Sequence, residues 1–105
     1  GPIYKSHSIE GARVRVQFAE AQSGLTTRHG DKLQGFAVAG ADGVWHWAEA
    51  KIDSKSTVVV SSDGVKAPEH VRFAWSQNRQ WANLFNKSGL PALAFTTEKV
   101  VFGGR

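Results

Sequence analysis

The hexapeptide RVRVQF, residues 13–18, alternates a polar side chain with a hydrocarbon one at every step. Successive side chains of an extended strand point to opposite faces. Val14, Val16 and Phe18 therefore share one face, and Arg13, Arg15 and Gln17 share the other. This is the pattern of a half-buried antiparallel strand. The same period continues outward from this stretch: Phe36 and Val38, then Ala48, Ala50 and Ile52, then Val58 and Val60, then Val71, Phe73 and Trp75. Ser6-His7-Ser8 also reads as strand alternation. Turn signals separate the runs at Glu10-Gly11, Ser23-Gly24, His29-Gly30-Asp31, Ala41-Asp42-Gly43, Asp53-Ser54-Lys55-Ser56 and Ser62-Asp63-Gly64. Asp42-Gly43 and Asp63-Gly64 are dipeptides that suit tight hairpins. Short strands spaced by about 8–12 residues indicate a sandwich or barrel. Only Phe18–Ala21 and Gln80–Phe85 have the pattern of a helical turn. The expectation is one all-β domain over residues 1–105, an antiparallel β-sandwich of jelly-roll or immunoglobulin-like topology.

Composition agrees with a single domain. The 105 residues are 41% hydrophobic, enough for one modest core. No apolar run approaches the roughly 20 residues of a membrane-spanning helix, and no membrane partner is expected. No signal-peptide pattern is visible, so targeting leaves the localisation unread. The chain has no cysteine, which excludes disulfides and thiolate metal sites. The net charge is +4, which admits an anionic partner. However, the thirteen Lys and Arg residues are scattered, and no two are adjacent. A solvated, mildly basic surface fits this better than a nucleic-acid stripe.

No catalytic constellation is legible. Acyl transfer by serine needs a nucleophile on a tight turn, a base in reach and an oxyanion hole, and no Gly-x-Ser-x-Gly occurs. Asp42 and His46 stand four apart, but Asp42 falls in a turn and His46 shares parity with Ala48 and Ala50. A packed histidine is the simpler reading. His7, His29, His46 and His70 are far apart, with no second histidine two or four residues away. Neither metal nor cofactor is expected.

The aromatics carry more information. Trp45 and Trp47 share a strand face opposite Val44, Ala48, Ala50 and Ile52. If the small apolar set faces the core, both indoles face out, about 6–7 Å apart along the strand. That spacing is close to the rise per residue of a β-linked polysaccharide. An indole covers the apolar C–H face of a pyranose while neighbouring amides and guanidinium groups bond its hydroxyls. Gln77, Asn78 and Arg79, just before Trp81, are candidates for those polar partners. Trp81 either stacks on a ligand from a loop or plugs the end of the sandwich. Trp45 and Trp47 have two other readings, an interface with another domain or, after a parity slip, core packing. Asn83 and Asn86 suit backbone-bonding roles in a loop.

Three groups of residues, taken in order, resemble one family. They are Gly1-Pro2-Ile3-Tyr4; Leu33-x-Gly35-Phe36-x-Val38-Ala39-Gly40-x-Asp42-Gly43; and Val71-Arg72-Phe73-Ala74-Trp75 with Asn83-Leu84-Phe85-Asn86-x-x-Gly89-Leu90-Pro91-Ala92-x-x-Phe95. The resemblance is to the non-catalytic β-sandwich region of sialate O-acetylesterase-like proteins, large SGNH-type esterases that remove acetyl groups from sugars. It runs from Gly1 to about Thr97, with 98–105 left as tail or linker. It implies a catalytic serine in a Gly-Gln-Ser-Asn type block and a partner Asp and His in an Asp-x-x-His type block. Neither block is present; Ala21-Gln22-Ser23-Gly24 lacks the leading glycine and falls in a turn. The expected function is a non-catalytic carbohydrate-binding module of a glycan acetylesterase. Its site would comprise Trp45, Trp47, Trp81, Arg79, Asn78 and Gln77, and its partners a plant-type polysaccharide such as xylan and an SGNH esterase domain in the same parent chain. The alternative is a structural accessory domain that buttresses the esterase site without glycan affinity of its own. A nucleic-acid partner is not expected, since the aromatics are not interleaved with a basic stripe. The resemblance also implies a periplasmic or secreted bacterial protein.

Overall fold

The computed structural model describes residues 1–21, 24–27, 30–74 and 82–97. Among the described residues ten strands follow in chain order: β1 (Ile3–Glu10), β2 (Arg13–Ala19), β3 (Leu25–Thr27), β4 (Phe36–Ala39), β5 (Trp45–Trp47), β6 (Glu49–Ser54), β7 (Thr57–Ser61), β8 (His70–Phe73), β9 (Leu84–Asn86) and β10 (Phe95–Thr96). They form a four-stranded sheet of order β1-β2-β7-β6, a second of order β10-β8-β4-β5, and a two-stranded ribbon β3-β9. Every pairing is antiparallel. The architecture is an all-β sandwich with no α-helix among the described residues.

Alternation decides which side chains enter the core. Val14, Val16 and Phe18 of β2, Val58 and Val60 of β7, Phe36 and Val38 of β4, and Val71 and Phe73 of β8 are all buried. Each such side chain contributes about 1.5–3 kcal/mol relative to exposure. Arg15, on the opposite face of β2, bonds Glu10 through Nε at 2.9 Å and also pairs with Asp53. The outer surface of the first sheet is thus a solvated charge network, worth little to stability.

An aromatic cluster joins the two sheets. Phe95 lies 4.7 Å from Tyr4 and 5.8 Å from Phe18, centroid to centroid, both on the first sheet. It lies 6.4 Å from Phe36 and from Phe73 on its own sheet. Tyr4 reaches this cluster because β1 shifts register between Tyr4 and Ser6. The bulge reverses the parity, so Tyr4 and His7, three residues apart, face inward together.

Three sequence expectations change. Phe18–Ala21 is not a helical turn: Phe18 and Ala19 end β2, and Glu20 turns the chain with φ 59°. In the second proposed turn, Leu84 and Phe85 belong to β9, whereas Gln80 and Trp81 lie outside the described residues. Third, Val44 through Ile52 is not one strand. β5 pairs with β4 in one sheet and β6 with β7 in the other, so the chain crosses between layers at Ala48. Val44 is exposed rather than part of a core set. The asparagines do bond backbone. Asn83 accepts from Gln34 N–H at 2.7 Å and donates to Lys32 C=O at 2.8 Å, while Asn86 Oδ1 accepts from Ser88 and Leu90 N–H, each at 3.0 Å.

Candidate functional site

The outer face of the β10-β8-β4-β5 sheet is built in two rows by strand register. Thr96, Arg72, Ala37 and Trp47 are opposed across all four strands. His70, Ala39 and Trp45 form the adjacent row. Opposed residues on neighbouring strands share a face, so two indoles on the edge strand stand across a floor of two alanines from a guanidinium and an imidazole. Val71 and Phe73 alternate with His70 and Arg72 into the core.

Trp47 is 59% exposed, while Trp45 is half-buried. Both face away from the core because of their register with Ala37 and Ala39, not because of Val44 and Ile52. The two indoles are not equivalent. The Arg72 guanidinium carbon sits 3.8 Å from the centroid of the Trp45 ring, and Arg72 Nε–H donates to Thr96 Oγ1 at 3.4 Å. Such a cation–π contact is worth about 0.5–1 kcal/mol at an exposed site. One face of Trp45 is therefore covered, whereas Trp47 keeps much of its surface exposed. Gln77, Asn78, Arg79 and Trp81 lie outside the described residues, as does Trp75. Arg72 and His70 are additions to the sequence-derived set. Their outward parity was readable beside Val71 and Phe73, whereas their neighbours were not.

The histidines take separate places. His46 is half-buried opposite Val38, against the backbone of Gly64, and Asp42 Oδ1 accepts the Val44 N–H at 3.0 Å within its own turn. The Asp42–His46 spacing thus serves a turn and a packed ring. His7 shares a hydrogen bond of 2.6 Å between its Nδ1 and the Tyr4 hydroxyl. His70 Nδ1 lies 3.4 Å from Thr97 Oγ1. Among the described residues there is no group of three His, Cys, Asp or Glu side chains able to hold a metal, and no helix long and apolar enough to cross a membrane.

Burial holds the His7 pKa below its usual 6.5, and the nearby charge of His70 lowers it further. The native state thus favours neutral His7, and the unfolded chain takes up that proton first as pH falls. The stabilisation is complete above about pH 6.5 and is lost as pH drops from there through the native pKa. Between pH 7.5 and 5.5 the wild-type Tm should fall more steeply than that of His7→Gln in thermal unfolding monitored by circular dichroism. Parallel curves would show that His7 is not a pH-linked group.

No protein-family model matches the chain, and no curated protein matches it. Among solved structures it is similar to a carbohydrate acetylesterase from Xanthomonas citri, with 41% sequence identity and a TM-score of 0.88. The match covers 94% of this chain but 23% of the esterase chain. The chain thus spans about a quarter of that enzyme and corresponds in size to one domain of it.

Proposed function

We propose that this domain is a non-catalytic carbohydrate-binding module of a periplasmic or secreted bacterial carbohydrate acetylesterase. The observation that carries this reading is Trp47, largely exposed on a sheet face that also presents Arg72 stacked on Trp45. The similarity to one domain-length part of a carbohydrate acetylesterase supports it. An indole accepts the C–H face of a pyranose, and the guanidinium beside it donates to ring substituents. Plant-type polysaccharides such as xylan, acetylated ones included, are the ligand class. An SGNH esterase domain in the same parent chain would supply the hydrolysis.

Affinity electrophoresis through gels containing xylan and other plant polysaccharides tests the reading. Covering roughly 100 Å² of indole with sugar is worth about 2.5 kcal/mol, so Trp47→Ala should weaken retention at least about tenfold. Retardation that survives Trp47→Ala would place the site elsewhere. No retardation by any glycan, or acetyl-ester hydrolysis by the purified domain, would overturn the function.

A second reading, a structural domain that buttresses the esterase site, has its own observation. The Leu93 N–H donates to Pro2 C=O at 3.0 Å, bringing Ile3, Leu90 and Leu93 to one corner, where they are 42%, 49% and 55% exposed. Such an apolar corner suits contact with a larger body. None of the three belongs to the rows that carry Trp45 and Trp47, so Trp47→Ala separates the two readings.

A further inference from the structure

Two Asp-Gly pairs lie in exposed turns, and each is followed by valine: Asp42-Gly43-Val44 and Asp63-Gly64-Val65. Glycine puts no side chain beside its amide nitrogen, so that nitrogen can approach the carboxyl carbon of a preceding aspartate. The fold treats the two pairs differently. Gly43 N–H donates to Gly40 C=O at 3.1 Å, and Asp42 Oδ1 accepts the Val44 N–H at 3.0 Å. Both reacting groups of the first pair are therefore held. In the second turn the backbone bond runs from Val65 N–H to Ser62 C=O at 3.0 Å and bypasses Gly64. Gly64 N–H reaches the Ser62 hydroxyl instead, at a longer 3.3 Å. The Asp63 carboxylate is exposed and has no hydrogen-bond or ion-pair partner among the described residues.

We infer that Asp63–Gly64 is a modification site, where the chain rearranges spontaneously through a succinimide to an isoaspartyl linkage. Asp42–Gly43 is protected by its turn. The Gly64 nitrogen attacks the Asp63 side-chain carboxyl carbon and a C–N bond forms. Water leaves, made up of the carboxyl hydroxyl and the amide proton. Water then adds back to the cyclic imide. Addition at the side-chain carbonyl breaks the new C–N bond and restores aspartate. Addition at the main-chain carbonyl breaks the original peptide bond, and the chain then runs through the former side chain. The main chain is longer by a methylene group, in a turn with little slack. Val65 is buried and bridged to Ser62, and a Cβ on Gly64 would stand 2.9 Å from His46 Nδ1. His46 is the middle residue of β5, so the rearrangement disturbs the edge strand between Trp45 and Trp47. The inference is independent of the glycan-binding reading.

The purified domain is incubated in warm, mildly acidic buffer, natively and in parallel in urea, and then digested with trypsin. Cleavage after lysine places Asp63 in the peptide 56–66 and Asp42 in the peptide 33–51. Chromatography with electron-transfer fragmentation distinguishes the aspartyl and isoaspartyl forms of each. In the native protein isoaspartate should accumulate several-fold faster at Asp63 than at Asp42. In urea, where the turns are lost, the two rates should come close to equal, since both pairs are followed by valine. Asp63→Glu, whose side chain is a methylene too long for this ring, should remove the Asp63 signal. After native incubation the wild type should unfold at a lower temperature than its fresh sample, and Asp63→Glu should not. A native ratio equal to that in urea, faster reaction at Asp42, or no isoaspartate at either site overturns the inference. Isoaspartate at Asp63 with an unchanged unfolding curve overturns the effect on β5.

Discussion

Phe95→Ala should lower the free energy of unfolding by about 3–5 kcal/mol, a large part of the 5–15 kcal/mol typical of a domain. The backbone around Phe95 cannot explain so large an effect. β10 is two residues long, paired to β8 through Phe95–Phe73 and Thr96–Arg72, with one more backbone bond, Thr97 N–H to Val71 C=O, just beyond it. The phenyl ring, in contrast, meets Tyr4 and Phe18 on one sheet and Phe36 and Phe73 on the other. Aromatic pairs contribute about 0.5–1.5 kcal/mol beyond the area they bury, and alanine would leave a cavity where the layers meet. Phe95→Leu keeps most of the hydrocarbon and should cost about 1–2 kcal/mol. Urea unfolding measures both, with the alanine variant's midpoint moving down by more than about 1 M. A midpoint unchanged within error would show that the sheets are not joined through this ring. The consequence extends to the outer face: Thr96, the next residue, accepts the Arg72 Nε–H.

The sequence was most legible where strands bury one face and wet the other. β2, β4, β7 and β8 follow period two almost without exception, and their inward residues are the core. β3, β9 and β10 have two or three residues each, too few to display a period. Their existence depends on partners far along the chain, as Leu25 on Asn86 and Phe95 on Phe73. The crossing at Ala48 was hidden for the opposite reason. Trp45 to Ile52 keeps an unbroken alternation through a change of sheet, so parity alone made one strand of two. The indoles still faced outward, since β5 inherits its orientation from β4. For the site, the type of face was readable but its membership was not. Arg72 and His70 already alternated with Val71 and Phe73, but only register with Ala37 and Ala39 brings them beside the tryptophans. The covered face of Trp45 likewise depends on a contact across 27 residues of chain, which no local pattern encodes.

Gly35→Ala should be the most damaging of the conservative substitutions, because it breaks two requirements at once. Gly35 has φ 109°, where an L side chain is strained, at a cost of about 1–3 kcal/mol. An added Cβ would also stand 2.8 Å from both Cα and Cβ of Ala82 and 3.1 Å from the Phe73 ring. Ala82 cannot easily withdraw. Asn83 N–H bonds Gln34 C=O, Asn83 Oδ1 accepts from Gln34 N–H, and Ala74 N–H bonds the Gly35 C=O itself. Overpacking of this kind costs about 1–3 kcal/mol, so the combined loss should approach that of the core truncation. Gly11→Ala isolates the backbone part. Gly11 has φ 62° in the β1–β2 turn with no atom within 4 Å of an added Cβ, and its replacement should cost only about 1–2 kcal/mol. Chemical unfolding of the two variants side by side measures the difference, which is the contribution of close packing between the entry to β4 and the Ala82–Asn83 segment. Equal losses would mean that the Gly35–Ala82 contact relaxes freely. The larger loss at Gly35 would tie this glycine requirement to the strand that carries Ala37 and Ala39 between the tryptophans and Arg72.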